Sequence, residues 1–190
     1  MSSAERGQQA EASSQEAFRP LGGETVYSGR LVDVRIERFL HADGEEVTRE
    51  IVRHGGAVGV LAHDQERVWL VRQPRESVGE PHLLEIPAGR LDVEGEEPPA
   101  AAQRELAEEV GLGAHSWEPI VTYYTGAGFT DERVHLFHAT DLYEHSADSG
   151  ENERIEVVRW PLANIAEALA ECRDAKTLIA LQWLALRLNA

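Results

Sequence analysis

The sequence predicts an α+β fold, an α/β/α sandwich preceded by a β-rich hairpin. Three observations carry this reading. Short runs rich in β-branched and aromatic residues recur between turn residues from Thr25 to Trp160. One helical apolar stripe interrupts them near residue 100, and two helical patterns close the sequence. Strands mixed with a few helices bury their apolar sides as a sheet covered by helices. At 190 residues and 42% hydrophobic composition, the length and the apolar content suit one domain with a substantial core.

Residues 1–20 are rich in Ser, Gln, Glu and Ala and are expected to form a disordered tail. Residues 21–190 are expected to form the single domain, with the hairpin at 21–54 and the core at 55–190. Thr25 to Phe39 alternates loosely and reads as a strand. Asp43-Gly44 then signals a hairpin turn, and Val47 to Arg53 reads as the return strand. Gly56 to Leu61, Arg67 to Val71 and Leu83 to Ile86 read as short strands, the last stopped by Pro87-Ala88-Gly89. Pro98-Pro99 suit a helix start. Ala102, Leu106 and Val110 form its apolar stripe, and Gly111 and Gly113 supply stop signals. Ile120 to Tyr124 and Val134 to Ala139 read as strands around the loop 125–132. An acidic, polar loop at 144–153 precedes a strand at Ile155 to Trp160. Leu162 to Cys172 and Ala175 to about Leu188 read as helices.

The formal net charge is −16 and the isoelectric point about 4.8. Nucleic-acid binders normally present a basic patch, and anionic membrane surfaces repel such a chain, so neither partner is expected. No apolar run approaches the roughly 20 residues of a membrane span, and no leader peptide opens the sequence. With one cysteine, Cys172, no intramolecular disulfide can form; the cytoplasm is the expected compartment and Cys172 an ordinary helix residue.

The chemistry concentrates between Gly89 and Leu112. Glu105, Glu108 and Glu109 lie three and four positions apart on the expected helix, so their carboxylates crowd together. Nearby basic residues are too few to neutralise them. A hard divalent cation does so, and Mg²⁺ takes oxygen ligands while keeping positions open for substrate phosphates. The pattern therefore points to metal-assisted chemistry on a phosphate ester or anhydride.

This segment resembles the signature of the Nudix hydrolases: Gly, five residues, Glu, seven residues, then Arg-Glu-apolar-x-Glu-Glu-x-Gly-apolar. Glu96, Arg104, Glu105, Leu106, Glu108, Glu109, Gly111 and Leu112 fall in place. One departure is that six residues separate Gly89 from Glu96. Further runs resemble the ADP-ribose pyrophosphatase branch: Val71-Arg72-Gln73-Pro74-Arg75, Leu84-Glu85-Ile86-Pro87-Ala88-Gly89, Gly128-Phe129-Thr130-Asp131-Glu132, Glu151-Asn152-Glu153 and Ile179 to Leu184.

The resemblance implies a Nudix-type sandwich and Mg²⁺-dependent hydrolysis of the diphosphate bond of ADP-ribose or a related nucleoside diphosphate sugar, with Mn²⁺ as a possible substitute. Two or three ions would be held by Glu105, Glu109, Glu108 and the Ala88 carbonyl, with Arg104 bracing the cluster through Glu96 or Glu108. The base would be Glu151 or Glu153. Arg75 would bind phosphate, with Arg49 and Arg53 as weaker candidates. Glu85 and Glu132 would bond ribose hydroxyls or orient ligands, and Phe129, Tyr123 or Tyr124 would stack on a base. The N-terminal hairpin would build a homodimer. Ala127 stands where the branch typically has proline, which leaves other ADP-sugars, a flavin dinucleotide or NADH open as substrates. The alternatives are a non-catalytic sensing module, which the retained glutamates disfavour, or a hydrolase of another dinucleotide, nucleoside triphosphate or mRNA cap.

Overall fold

The computed structural model describes residues 17–145, 147 and 154–188. They divide into two compact units. The first comprises the described residues up to His54 together with Gly126–Glu132. It holds an antiparallel sheet in the order β1 (Phe18–Ser28), β2 (Asp33–His41), β3 (Glu46–Arg53). The expected run from Thr25 to Phe39 is thus two strands. They are parted at Gly29, whose N–H bonds the Val32 carbonyl at 3.0 Å, and the Ser28 hydroxyl donates to Asp33 across the same turn at 2.6 Å. The tail boundary also moves: Phe18, Arg19 and Pro20 belong to β1, and residues 1–16 lie outside the described ones. The Asp43-Gly44 turn forms where expected. Gly44 takes φ 89°, a conformation glycine adopts at no steric cost, and its N–H bonds the His41 carbonyl. None of the three strands has a fully buried residue.

The second unit, Gly55–Thr125 with the described residues from Arg133 on, contains a seven-stranded mixed sheet. Its strands are β4 (Ala57–His63), β5 (Arg67–Arg75), β6 (Glu80–Glu85), β7 (Ala88–Arg90), β8 (Leu112–Tyr124), β9 (Arg133–Glu144) and β10 (Glu156–Pro161). The order is β10-β5-β4-β9-β8, with β6 paired to β5 and β7 to β4. β4 and β9 run parallel, and the other pairs antiparallel. β4 is buried at five of seven positions, as a central strand covered on both faces must be. Leu61, Leu70, Leu84, Ile86 and Leu136 pack with Ala180, Leu181 and Leu184 of the C-terminal helix α3 (Ala175–Leu188) and Ala168 of α2 (Ile165–Glu171). On the opposite face Val58, Val60, Ala62 and Phe137 pack with Ala101, Ala102 and Leu106 of α1 (Pro98–Val110). This is an α/β/α sandwich.

Two local readings change. Pro87-Ala88-Gly89 does not end in a loop: Ala88 to Arg90 pair with β4. Gly113 lies within β8; Gly111 alone closes α1, at φ 74°, with its N–H reaching the Ala107 and Leu106 carbonyls. Cys172 is buried, directly after α2, and burial pushes its thiol up from the ordinary value, which suits an unreactive residue.

Candidate active site

Helix α1 starts on Pro98 and Pro99, with Glu97 extended before them. Its apolar stripe docks on the sheet, so the adjoining positions 105 and 109 turn toward β7. Glu105 and Glu109 are accordingly buried, at 8% and 9% exposure. The Ala88 N–H donates to Glu109 Oε2 at 2.9 Å. Gly89 lies so close to Glu105 that a Cβ there would stand 1.9 Å from the carboxyl carbon. Only glycine admits the carboxylate at that distance. The short β7 strand therefore brings backbone against both carboxylates.

Arg104 lies across the cluster. Its Nη2 meets Glu96 Oε2 at 2.9 Å, and its Nη1 meets Glu105 Oε1 at 2.6 Å and Glu108 Oε2 at 3.0 Å. Hydrogen bonding to Glu96 raises its already high pKa; burial opposes this, and the charges of Glu105 and hydrogen bonds to Glu105 and Glu108 add to the rise. One arginine serves more carboxylates than the sequence suggests, yet one cation among four glutamates leaves a formal excess of three negative charges.

Among the described residues no three or more His, Cys, Asp or Glu side chains converge as a ready cage for an ion. The donor set nevertheless suits Mg²⁺. That ion is held by one or two carboxylates and completes its shell with carbonyl oxygen, water and substrate phosphate. Glu105, Glu109 and the Ala88 backbone would supply the protein part of such a shell.

A second charged cluster lies on the same sheet face. Trp69, Val71 and Gln73 alternate along β5, and Glu85 pairs with Val71 across β6. Glu85 is 1% exposed. Arg75 grips it with two parallel bonds, Nε to Oε1 at 2.6 Å and Nη2 to Oε2 at 2.7 Å. Lys176 from α3 bonds Oε2 at 2.7 Å and Asp174 at 3.0 Å. Burial pushes the Glu85 carboxyl upward, but Arg75 and Lys176 outweigh it and hold it below the ordinary range. Both Glu85 oxygens thus meet protein cations, Oε1 from Arg75 and Oε2 from Arg75 and Lys176. Asp174 caps α3 by accepting the Thr177 N–H at 3.0 Å, and the Thr177 hydroxyl in turn accepts the Ile86 N–H at 2.8 Å.

The remaining expected residues are described within their own units. In the first unit Arg53 pairs with Glu37 and Asp131, both at 2.8 Å, and His54 lies 3.4 Å from Glu132. Arg49 reaches the Thr48 carbonyl, and Phe129 is 61% exposed. Phe18, Phe39, Ile51, Arg49, Arg53 and Phe129 line a pocket of about 320 Å³. The Gly126-Ala127-Gly128 loop closes without proline, because the Phe129 and Thr130 N–H groups both bond the Gly126 carbonyl at 2.9 Å. In the second unit Tyr123 packs on the α3-side core, which makes it a core residue, while Tyr124 is exposed beneath Arg133. Glu151 and Glu153 lie outside the described residues. Sequence reasoning missed Lys176, Asp174 and Thr177. The Asp-x-x-Thr cap signal was visible, but nothing in it says where the lysine points.

A two-faced sandwich carrying a carboxylate helix against a Pro-Ala-Gly strand defines a hydrolase of the Nudix class. The NUDIX domain model matches residues 53–182, and the chain belongs to that family. An ADP-ribose pyrophosphatase of Bacillus subtilis is 40% identical over 89% of this chain and 93% of its own length. A methanol dehydrogenase activator of Bacillus methanolicus is 37% identical over 86% and 90%. A solved structure of an ADP compounds hydrolase superposes with a TM-score of 0.79 at 26% identity, covering 90% of this chain and 94% of that one.

Proposed function

We propose that the protein hydrolyses the diphosphate bond of ADP-ribose, or a closely related nucleoside diphosphate sugar, to AMP and a sugar phosphate. The observation that carries this reading is the buried Glu105–Glu109 pair against Ala88-Gly89, in a cluster that also gathers Glu96 and Glu108 around Arg104. The relatives named for ADP-ribose and ADP compounds support the substrate class.

Glu105, Glu109, Glu108 and the Ala88 carbonyl would hold Mg²⁺ or Mn²⁺, two or three ions in all. When bound, they would neutralise the diphosphate and lower the pKa of water. Arg104 fixes the directions of Glu105 and Glu108 and ties the helix to Glu96. Arg75 presents its free Nη1 edge for phosphate, since the opposite edge is spent on Glu85. Glu151 or Glu153 would take the proton from the attacking water, a role that Glu151→Gln and Glu153→Gln separate by their effects on kcat.

The protein would work as a cytoplasmic homodimer. Among the described residues no helix is long and apolar enough to cross a membrane. Phe18, Val26, Tyr27 and Leu31, in and just after β1, expose 44–58% of their surface, the pattern of a sheet awaiting a partner.

The test is product analysis with Mg²⁺ on ADP-ribose, ADP-glucose, NADH and a flavin dinucleotide. AMP and ribose 5-phosphate are expected, with ADP-ribose the best substrate.

A further inference from the structure

We infer that Lys176 is a positioning residue for substrate phosphate: from the C-terminal helix it acts through Glu85 to set the direction and the free charge of Arg75. The inference rests on the proposed diphosphate hydrolysis and deepens it.

The chain of contacts is short. Lys176 Nζ is 2.7 Å from Glu85 Oε2, and Arg75 Nη2 is 2.7 Å from the same oxygen. Two cations on one oxygen repel each other. They are held there because Glu85 is buried and Asp174 takes the other side of the ammonium at 3.0 Å. The four groups, Arg75, Lys176, Glu85 and Asp174, balance in charge. Without the ammonium the set becomes negative, and Arg75 alone must answer a buried carboxylate. Its charge would then be consumed inside the protein instead of facing a phosphate.

Position supports the same reading. Arg75 is raised in pKa first by its bonds to Glu85 and then, against burial, by the charges of Glu85, Glu109 and Asp174. The charge of Glu109, a proposed metal ligand, is thus among those that act on Arg75. The strand carries another donor: the Gln73 amide nitrogen is buried and has no hydrogen-bond partner. Buried donors are normally satisfied, and this unmatched one lies two positions before Arg75 on the same strand. The same helix turn also fixes the site backbone, since Thr177 holds the Ile86 N–H two residues before Ala88. One helix end thus orients both the arginine and the strand that bears the carbonyl.

The test uses Lys176→Gln and Lys176→Arg in the full-length protein, with ADP-ribose as substrate. Lys176→Gln should raise KM about ten-fold with kcat within about two-fold, the equivalent of one factor of ten in affinity. Lys176→Arg, which keeps the charge, should restore KM to near wild type. An unchanged KM in Lys176→Gln, or an equal defect in Lys176→Arg, overturns the inference. A second readout needs no turnover: ¹⁵N spectra of the wild type and Lys176→Gln, each free and titrated with AMP. Lys176→Gln should shift the Arg75 guanidinium signals of the free protein through Glu85, and AMP should shift those signals in the wild type. Identical Arg75 signals in the free wild type and Lys176→Gln would overturn the positioning role. Absence of ADP-ribose cleavage by the wild type would defeat the proposed function alone, because the spectra of the free wild type and Lys176→Gln still report the Lys176–Glu85–Arg75 linkage.

Discussion

Two charged clusters on the same sheet differ in one respect, their balance. Around Glu85 two cations meet two carboxylates, and every charge has a partner within the protein. Around Arg104 one cation serves three glutamates, with Glu109 beside them held by a backbone N–H. The balanced cluster is a built part of the scaffold, able to aim an arginine. The other cluster is the one proposed to take divalent cations. An acidic cluster is thus read as a metal site by what its neighbours fail to neutralise, and a buried ion pair by what its neighbours already have.

The largest expected effect comes from Glu109→Gln. The amide oxygen can still accept the Ala88 N–H, so the fold should hold. Loss of the charge should cost at least about 10³-fold in kcat, in the range seen when one preorganised electrostatic group is removed. Steady-state rates and a melting curve measured together check both halves.

Gly89→Ala comes next. The new methyl would lie within 2 Å of the Glu105 carboxyl, which is the far end of a flexible side chain and can move aside. Tm should change little, while activity falls by about 10²-fold, the scale of an ångström misplacement in a site. A melting temperature that collapses while specific activity survives would contradict this.

Arg104→Met sharpens the comparison from the other side, since it makes the unbalanced cluster more negative and releases Glu96, Glu105 and Glu108. A drop of about 10–100-fold in activity or metal affinity is expected, as for other groups that orient metal ligands. A Mg²⁺ titration of the rate reads it.

The smallest effect is a pH dependence. Glu85 is held below its ordinary value of 4.5, so its ionised form stabilises the fold above that range and the contribution fades as pH falls through the lowered value. The Tm difference between wild type and Glu85→Gln should therefore be widest above about pH 5 and narrow toward pH 3. Melting curves across that range check the direction.

Much of this was legible beforehand. The carboxylate helix, its apolar stripe and its glycine stop follow from residue spacing, because helix periodicity is local. The sandwich follows from strands and helices alternating with one-sided apolar patterns. The third N-terminal strand was not legible. Phe18 to Thr25 mixes proline, glycine and charge, and its pairing is set by β2 across the turn at Gly29. Nor was the reach of Lys176 to Glu85, separated by 91 positions along the chain. Contacts of that kind are decided by packing, which no local pattern encodes.

The measurement that bears most directly on the central claim is ³¹P product analysis of ADP-ribose incubated with wild type and Glu109→Gln, with Mg²⁺ and with chelator. Formation of AMP and ribose 5-phosphate only by wild type with Mg²⁺ is the expected result. Cleavage that persists in the chelator, or in Glu109→Gln at the wild-type rate, would contradict the metal-site assignment.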